Sequence, residues 1–102
     1  AHATLVCGAR GGGEAERAGV AEKVDVHVGT LSKAFGAHGG FIASSRALKH
    51  LVLSRGRPGI FSTALPAPAV AAASAALREA TPALRARLWA NVRELADGAG
   101  VR

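Results

Sequence analysis

The sequence predicts an α/β fold in which short strands alternate with helices. Three observations predict it. "VDVHVG" (Val24–Gly29) alternates valine with Asp25 and His27, a strand pattern rich in β-branched residues. Two later segments, opening at Pro68 and Pro82, carry helical composition and apolar spacing behind a proline suited to a first turn. Between the strand and helix signals lies "GTLSKAFGAHGG" (Gly29–Gly40), too rich in glycine for regular structure.

The elements follow in chain order. "ATLVC" (residues 3–7) reads as the end of a strand, and "GARGGG" (Gly8–Gly13) as a loop. Glu14–Ala18 has room for one helical turn. After the Val24–Gly29 strand and its glycine loop, "GFIAS" (Gly40–Ser44) reads as a second strand. Ser45 caps a helix that puts Leu48, Leu51 and Val52 on one face. That helix stops near "RGRPG", where Pro58 and two glycines break it. "IFSTA" (Ile60–Ala64) reads as a third strand, and the three strands are expected to belong to a larger parallel sheet. An alanine-rich helix follows from Pro68 to Glu79. The last helix starts at Pro82, aligns Leu84, Leu88, Val92 and Leu95 in one stripe, and ends near Gly98.

Composition bounds the rest. A chain of 102 residues is at most one ordinary domain. Hydrophobic residues make up 49%, enough for a globular chain, but aromatics are only 4% and alanine and glycine supply much of the total. Small side chains bury little area each, so the core is expected to be weak. There is no methionine, and residues 1–102 are expected to be a partial domain, incomplete at both ends, with its helix stripes partly uncovered. The formal charge is +6, spread over Arg46, Lys49, Arg55, Arg57, Arg78, Arg85, Arg87 and Arg93 without a basic run or interleaved aromatics. That pattern argues against nucleic-acid binding. A small basic module acting on acidic partners is the alternative from a different class. Cys7 is the single cysteine, so neither an internal disulfide nor a cysteine-based zinc cluster can form, and no metal site is expected. A reducing compartment follows from the same residue. No apolar run reaches the roughly 18 residues of a membrane span.

Lys33 is the candidate for chemistry. The Val24–Gly29 strand delivers Thr30, Ser32 and Lys33 together at its carboxyl end, where α/β sheets place ligands. An amine in a partly apolar pocket is a nucleophile that can condense with a carbonyl compound, because burial disfavours the ammonium. Thr30 and Ser32 offer hydroxyls to a phosphate, and Gly36, Gly39 and Gly40 let the backbone approach closely. A phosphate-binding G-x-x-x-x-G-K-[ST] loop is excluded, since no glycine directly precedes Lys33. A serine S-x-x-K pair is excluded too, since position 30 is Thr30.

"GTLSKAFGAHGGFIASS" resembles the cofactor-lysine region of the α-oxoamine synthases, pyridoxal-phosphate enzymes of fold type I. "IFSTALP" (Ile60–Pro66) resembles their phosphate-proximal segment. "AHATLVCGARGGG" resembles the tail of their D-x-A-H element with its glycine-rich loop. The resemblance implies part of the large domain of a PLP-dependent transferase. It implies that Lys33 binds pyridoxal 5'-phosphate covalently and shuttles protons, that Thr30 binds the cofactor with Ser32 shaping the loop, and that His2 contacts its phenolic oxygen. Ser62 and Thr63 are implied to reach the phosphate of a partner subunit in a homodimer. His27, His38 and His50 have no counterpart and are expected to be structural or exposed. The aspartate that pairs with the pyridine nitrogen would lie three residues before His2, outside the chain. Within the family the motifs are most like the plant and algal branch that joins a pimeloyl thioester, of CoA or acyl carrier protein, to L-alanine with loss of CO2. The cytosol is then the expected compartment, or a peroxisome in a plant or alga.

Overall fold

The computed structural model describes residues 1–100. The valine-rich segment forms β1 (Val26–Thr30) and "GFIAS" forms β2 (Gly40–Ser44). They pair antiparallel, with Val26 opposite Ser44, Gly29 opposite Phe41 and Thr30 opposite Gly40. The expected parallel arrangement does not hold for these two strands. The loop from Leu31 to Gly39 returns the chain directly, and it is too short for the crossover of roughly a dozen residues that parallel pairing requires.

Local chemistry sets the helices. A short helix, α1 (Glu14–Arg17), follows the first glycine loop, and a 3-10 turn spans Ala21–Lys23. Ser45 caps α2 (Arg46–Arg55), its Oγ accepting from the Leu48 N–H at 3.3 Å. Next come α3 (Arg57–Phe61) and α4 (Ala67–Glu79), each with proline in its first turn. Thr81 caps α5 (Pro82–Gly98), accepting from the Leu84 N–H at 3.2 Å. The first-turn prolines remove only an N–H that has no partner within the helix.

Two expected strands are absent. Ile60 and Phe61 of "IFSTA" complete α3, and Ser62–Leu65 are irregular. Pro58 starts that turn rather than only ending α2. The Gly56 carbonyl accepts from the Gly59 and Ile60 N–H groups, and the Arg57 guanidinium lies 5.6 Å from the Phe61 ring centroid. "ATLVC" is a closed turn. The Ala3 carbonyl accepts from both the Val6 and Cys7 N–H groups, and the Leu5 N–H donates to the Gly11 carbonyl at 2.8 Å.

The core lies under the lysine loop. Leu31, Phe35 and Ala73 are its buried apolar residues, with Leu5, Ala37, Phe41, Leu65 and Ala76 packed around them. Phe35 meets Phe41 edge-on, ring centroids 5.8 Å apart at 71°. The leucine stripes contribute little. Leu84 and Leu88 stay 42% and 41% exposed, and Leu95 75%. This matches the expected weak core and uncovered helix faces. The radius of gyration is 16.2 Å, against about 13 Å for a compact domain of 100 residues.

Candidate functional site

Lys33 sits on a loop whose two ends are tied together. The Leu31 N–H donates to the Gly39 carbonyl and the Ala37 N–H to the Leu31 carbonyl, each at 2.8 Å. Leu31 and Phe35 turn inward and are buried, while Ser32, Lys33 and Ala34 between them are exposed. Burial of the flanking side chains therefore holds the lysine outward. Gly39 closes the loop at φ +99°, a left-handed conformation that glycine adopts without strain, and a Cβ there would collide with Leu65. The Thr30 Oγ1 and Ser32 Oγ lie 2.8 Å apart, and the Ser32 N–H donates to Thr30 Oγ1 at 3.3 Å. Lys33 is exposed, so the partial burial expected of it is not supplied by residues 1–100.

The glycine-rich loop 8–13 wraps a carboxylate of the chain itself. Glu16 accepts from the Gly12 N–H at 2.7 Å and from Arg10 Nε at 2.9 Å, with the Arg10 N–H 3.2 Å away. A Cβ on Gly8 or Gly12 would displace that carboxylate, and Gly8 also holds φ +85°, a left-handed conformation that glycine adopts without strain. The Arg10 side chain, then the Gly12 N–H, holds the Glu16 carboxyl below its usual range. Leu5 is the one non-glycine residue at positive φ among the described residues, at 66°. That costs about 1–2 kcal/mol, and the Leu5–Gly11 hydrogen bond together with the core contact of Leu5 holds it there.

His2 and Lys33, both exposed, line one pocket of about 620 Å³, with Leu5, Val6, Leu84 and Leu88 among its apolar walls. Neither enters a salt bridge among the described residues. Thr30 and Ser32 share the loop of Lys33 but do not line this pocket, and neither do Ser62 and Thr63, which are exposed after α3. His38 and His50 are exposed and His27 is half-buried in β1. Lys33, Thr30, Ser32 and His2 are the residues that could hold a phosphorylated aldehyde, the hydroxyl pair lying on the Lys33 loop outside the pocket that His2 and Lys33 line.

Arg85 departs from its expected place among scattered surface charges. It is buried, donating from Nη1 to the Ala80 carbonyl at 2.7 Å and from Nη2 to the Ala9 carbonyl at 3.0 Å. One helical turn later, Trp89 Nε1 donates to the Val6 carbonyl at 3.1 Å. The only signal for this pair in the sequence is an arginine and a tryptophan four positions apart on a helix, next to the leucine stripe.

The chain belongs to the aminotransferase class I and II family, whose model matches residues 1–100. Its α/β arrangement is that of PLP-dependent fold-type I enzymes, as the resemblance of its motifs implies. The 8-amino-7-oxononanoate synthase of Arabidopsis thaliana is 52% identical over 103 residues, covering 99% of this chain and 22% of that protein. A solved serine palmitoyltransferase with its PLP internal aldimine matches with a TM-score of 0.85 and 38% identity, over 96% of this chain and 25% of its own. The 8-amino-7-oxononanoate synthase of Francisella tularensis matches with a TM-score of 0.76 and 30% identity, over 100% of this chain and 32% of its own. The chain thus spans about a quarter of the length of the relatives it matches.

Proposed function

We propose that the chain is part of the large domain of an 8-amino-7-oxononanoate synthase, a PLP-dependent acyltransferase. That enzyme joins a pimeloyl thioester to L-alanine, releasing CO2 and the free thiol, and makes a precursor of biotin. The observation that supports this reading is the pocket that both the outward-held Lys33 and His2 line. When bound, pyridoxal phosphate supplies an electron-accepting ring that stabilises negative charge at the amino-acid Cα. Lys33 holds the cofactor through its Nζ and moves the proton at that Cα. The His2 imidazole orients the ring at its phenolic oxygen. Thr30 Oγ1, held by the Ser32 N–H, would turn its proton from the Gly39 carbonyl, 3.4 Å away, to the phosphate. Ser62 and Thr63 stand away from the Lys33 pocket, which suits a role toward the phosphate of a second copy in a homodimer. The uncovered stripes of α2 and α5 suit a chain that packs against further segments of the same domain, which would bring the ring-nitrogen aspartate and the stacking aromatic. The cytosol, or a peroxisome in a plant or alga, is the proposed compartment.

Borohydride reduction of the whole protein loaded with cofactor, followed by peptide mass mapping, tests this. The pyridoxyl group should lie on Lys33, and Lys33→Ala should abolish covalent attachment. A label on Lys23 or Lys49 would overturn the assignment. The better structural match to serine palmitoyltransferase favours a second reading, another α-oxoamine synthase with the same lysine chemistry. Thiol release that depends on serine rather than alanine would select it.

A further inference from the structure

Arg85 and Trp89 each send a donor from α5 to a backbone carbonyl of the loop that follows His2. Arg85 is the one buried charged side chain among the described residues, and its hydrogen bonds go to carbonyls rather than to a carboxylate. A guanidinium committed in this way serves as a geometric fork. One arm of the fork is anchored on Ala80, between α4 and α5, so the loop is referenced to the helix pair and not to a mobile surface chain. The fit is close, since a Cβ on Gly11 would lie 3.1 Å from Arg85 Nη1. The loop transmits the constraint because it is internally bonded. Gly13 donates to Cys7, Leu5 donates to Gly11, and Val6 and Cys7 both donate to Ala3, the neighbour of His2. Arg85, Leu84 and Leu88 also line the pocket shared by His2 and Lys33, so α5 both walls that pocket and fixes one side of it.

We propose that Arg85 and Trp89 are positioning residues that hold the Ala3–Gly13 loop so that His2 stays at the pocket it lines with Lys33. The proposal rests on the reading of His2 as a cofactor contact. Its test is the pH titration of cofactor absorbance in the whole protein, for Arg85→Met, Arg85→Lys and Trp89→Phe, beside His2→Asn and the control Arg93→Met, an exposed arginine of the same helix outside the leucine stripe. Losing the His2 contact should move the titration midpoint. Arg85→Met and Trp89→Phe should move it in the same direction, by at least half as much, and Arg93→Met should leave it in place. Arg85→Lys, which puts one nitrogen where Nη1 and Nη2 reach separate carbonyls, should behave like Arg85→Met. In a His2→Asn background, Arg85→Met should add no further shift. A midpoint that moves with His2→Asn but not with Arg85→Met or Trp89→Phe would overturn the positioning role alone, as would full additivity. A midpoint unmoved by His2→Asn would overturn the cofactor role of His2 and the proposal with it. Trp89→Phe removes a single donor from a partly exposed ring, so the test stands even where Arg85→Met prevents folding.

Discussion

Gly29→Ala should be costly out of proportion to its size. Gly29 stands opposite Phe41 in the β1–β2 register, and a Cβ there would lie 2.3 Å from two atoms of the Phe41 ring. The ring must therefore leave its seat. Overpacking of this kind costs about 1–3 kcal/mol. Moving the ring also disturbs its edge-on contact with Phe35, and such pairs contribute about 0.5–1.5 kcal/mol. Together the loss should be about 2–4 kcal/mol. Phe35 is one of the two buried anchors of the Lys33 loop, so the damage should reach the site. Urea unfolding of the whole protein with and without Phe41→Leu is the assay. In the Phe41→Leu background the penalty of Gly29→Ala should fall below about 1 kcal/mol, since the smaller side chain clears the Cβ. Gly36→Ala is the control: φ is +58° with nothing within 4 Å of a Cβ, so only the left-handed backbone cost of about 1–2 kcal/mol applies. A penalty for Gly29→Ala that is the same with and without the Phe41 ring would refute the reasoning.

Two further outcomes are expected. Thr30→Ala should weaken cofactor binding about 10- to 150-fold without blocking attachment to Lys33, the loss of one hydrogen bond to a charged group being about 1.5–3 kcal/mol; an unchanged dissociation constant would remove Thr30 from the site. The Glu16 carboxyl is held low by the Arg10 side chain and the Gly12 N–H, so its contribution to the glycine loop is present above the unfolded carboxylate value of about 4.3 and is lost as pH falls through its lower folded value. Hydrogen exchange at the Gly12 amide should stay protected at pH 5 and lose protection in stronger acid, and Glu16→Gln should remove the pH dependence.

The features legible in the sequence were those set within a few residues. Ser45 caps its helix because the bond it accepts comes from three positions ahead. Pro68 and Pro82 open helices because a first-turn N–H has no partner within the helix. The Lys33 loop was legible for a similar reason, since its glycines, hydroxyls and lysine lie consecutively. Where several local readings competed, the nearest neighbours misled. "IFSTA" has strand composition, but Pro58 and the Gly56 carbonyl turn its first residues into helix.

Only the tertiary structure decided which surfaces meet. The leucine stripes of α2 and α5 have the spacing of buried faces, yet the core formed around Leu31, Phe35 and Ala73, because burial depends on what lies opposite and spacing carries no record of that. The antiparallel pairing of β1 and β2, the seating of Phe41 over Gly29, and the sharing of one pocket by His2 and Lys33 all depend on the path of the chain between them. The clearest case is Arg85. By itself it reads as one more surface charge, but one of its two partner carbonyls is on Ala9, at the far end of the sequence. Every residue carries a backbone carbonyl, so composition cannot mark the one that a guanidinium will find.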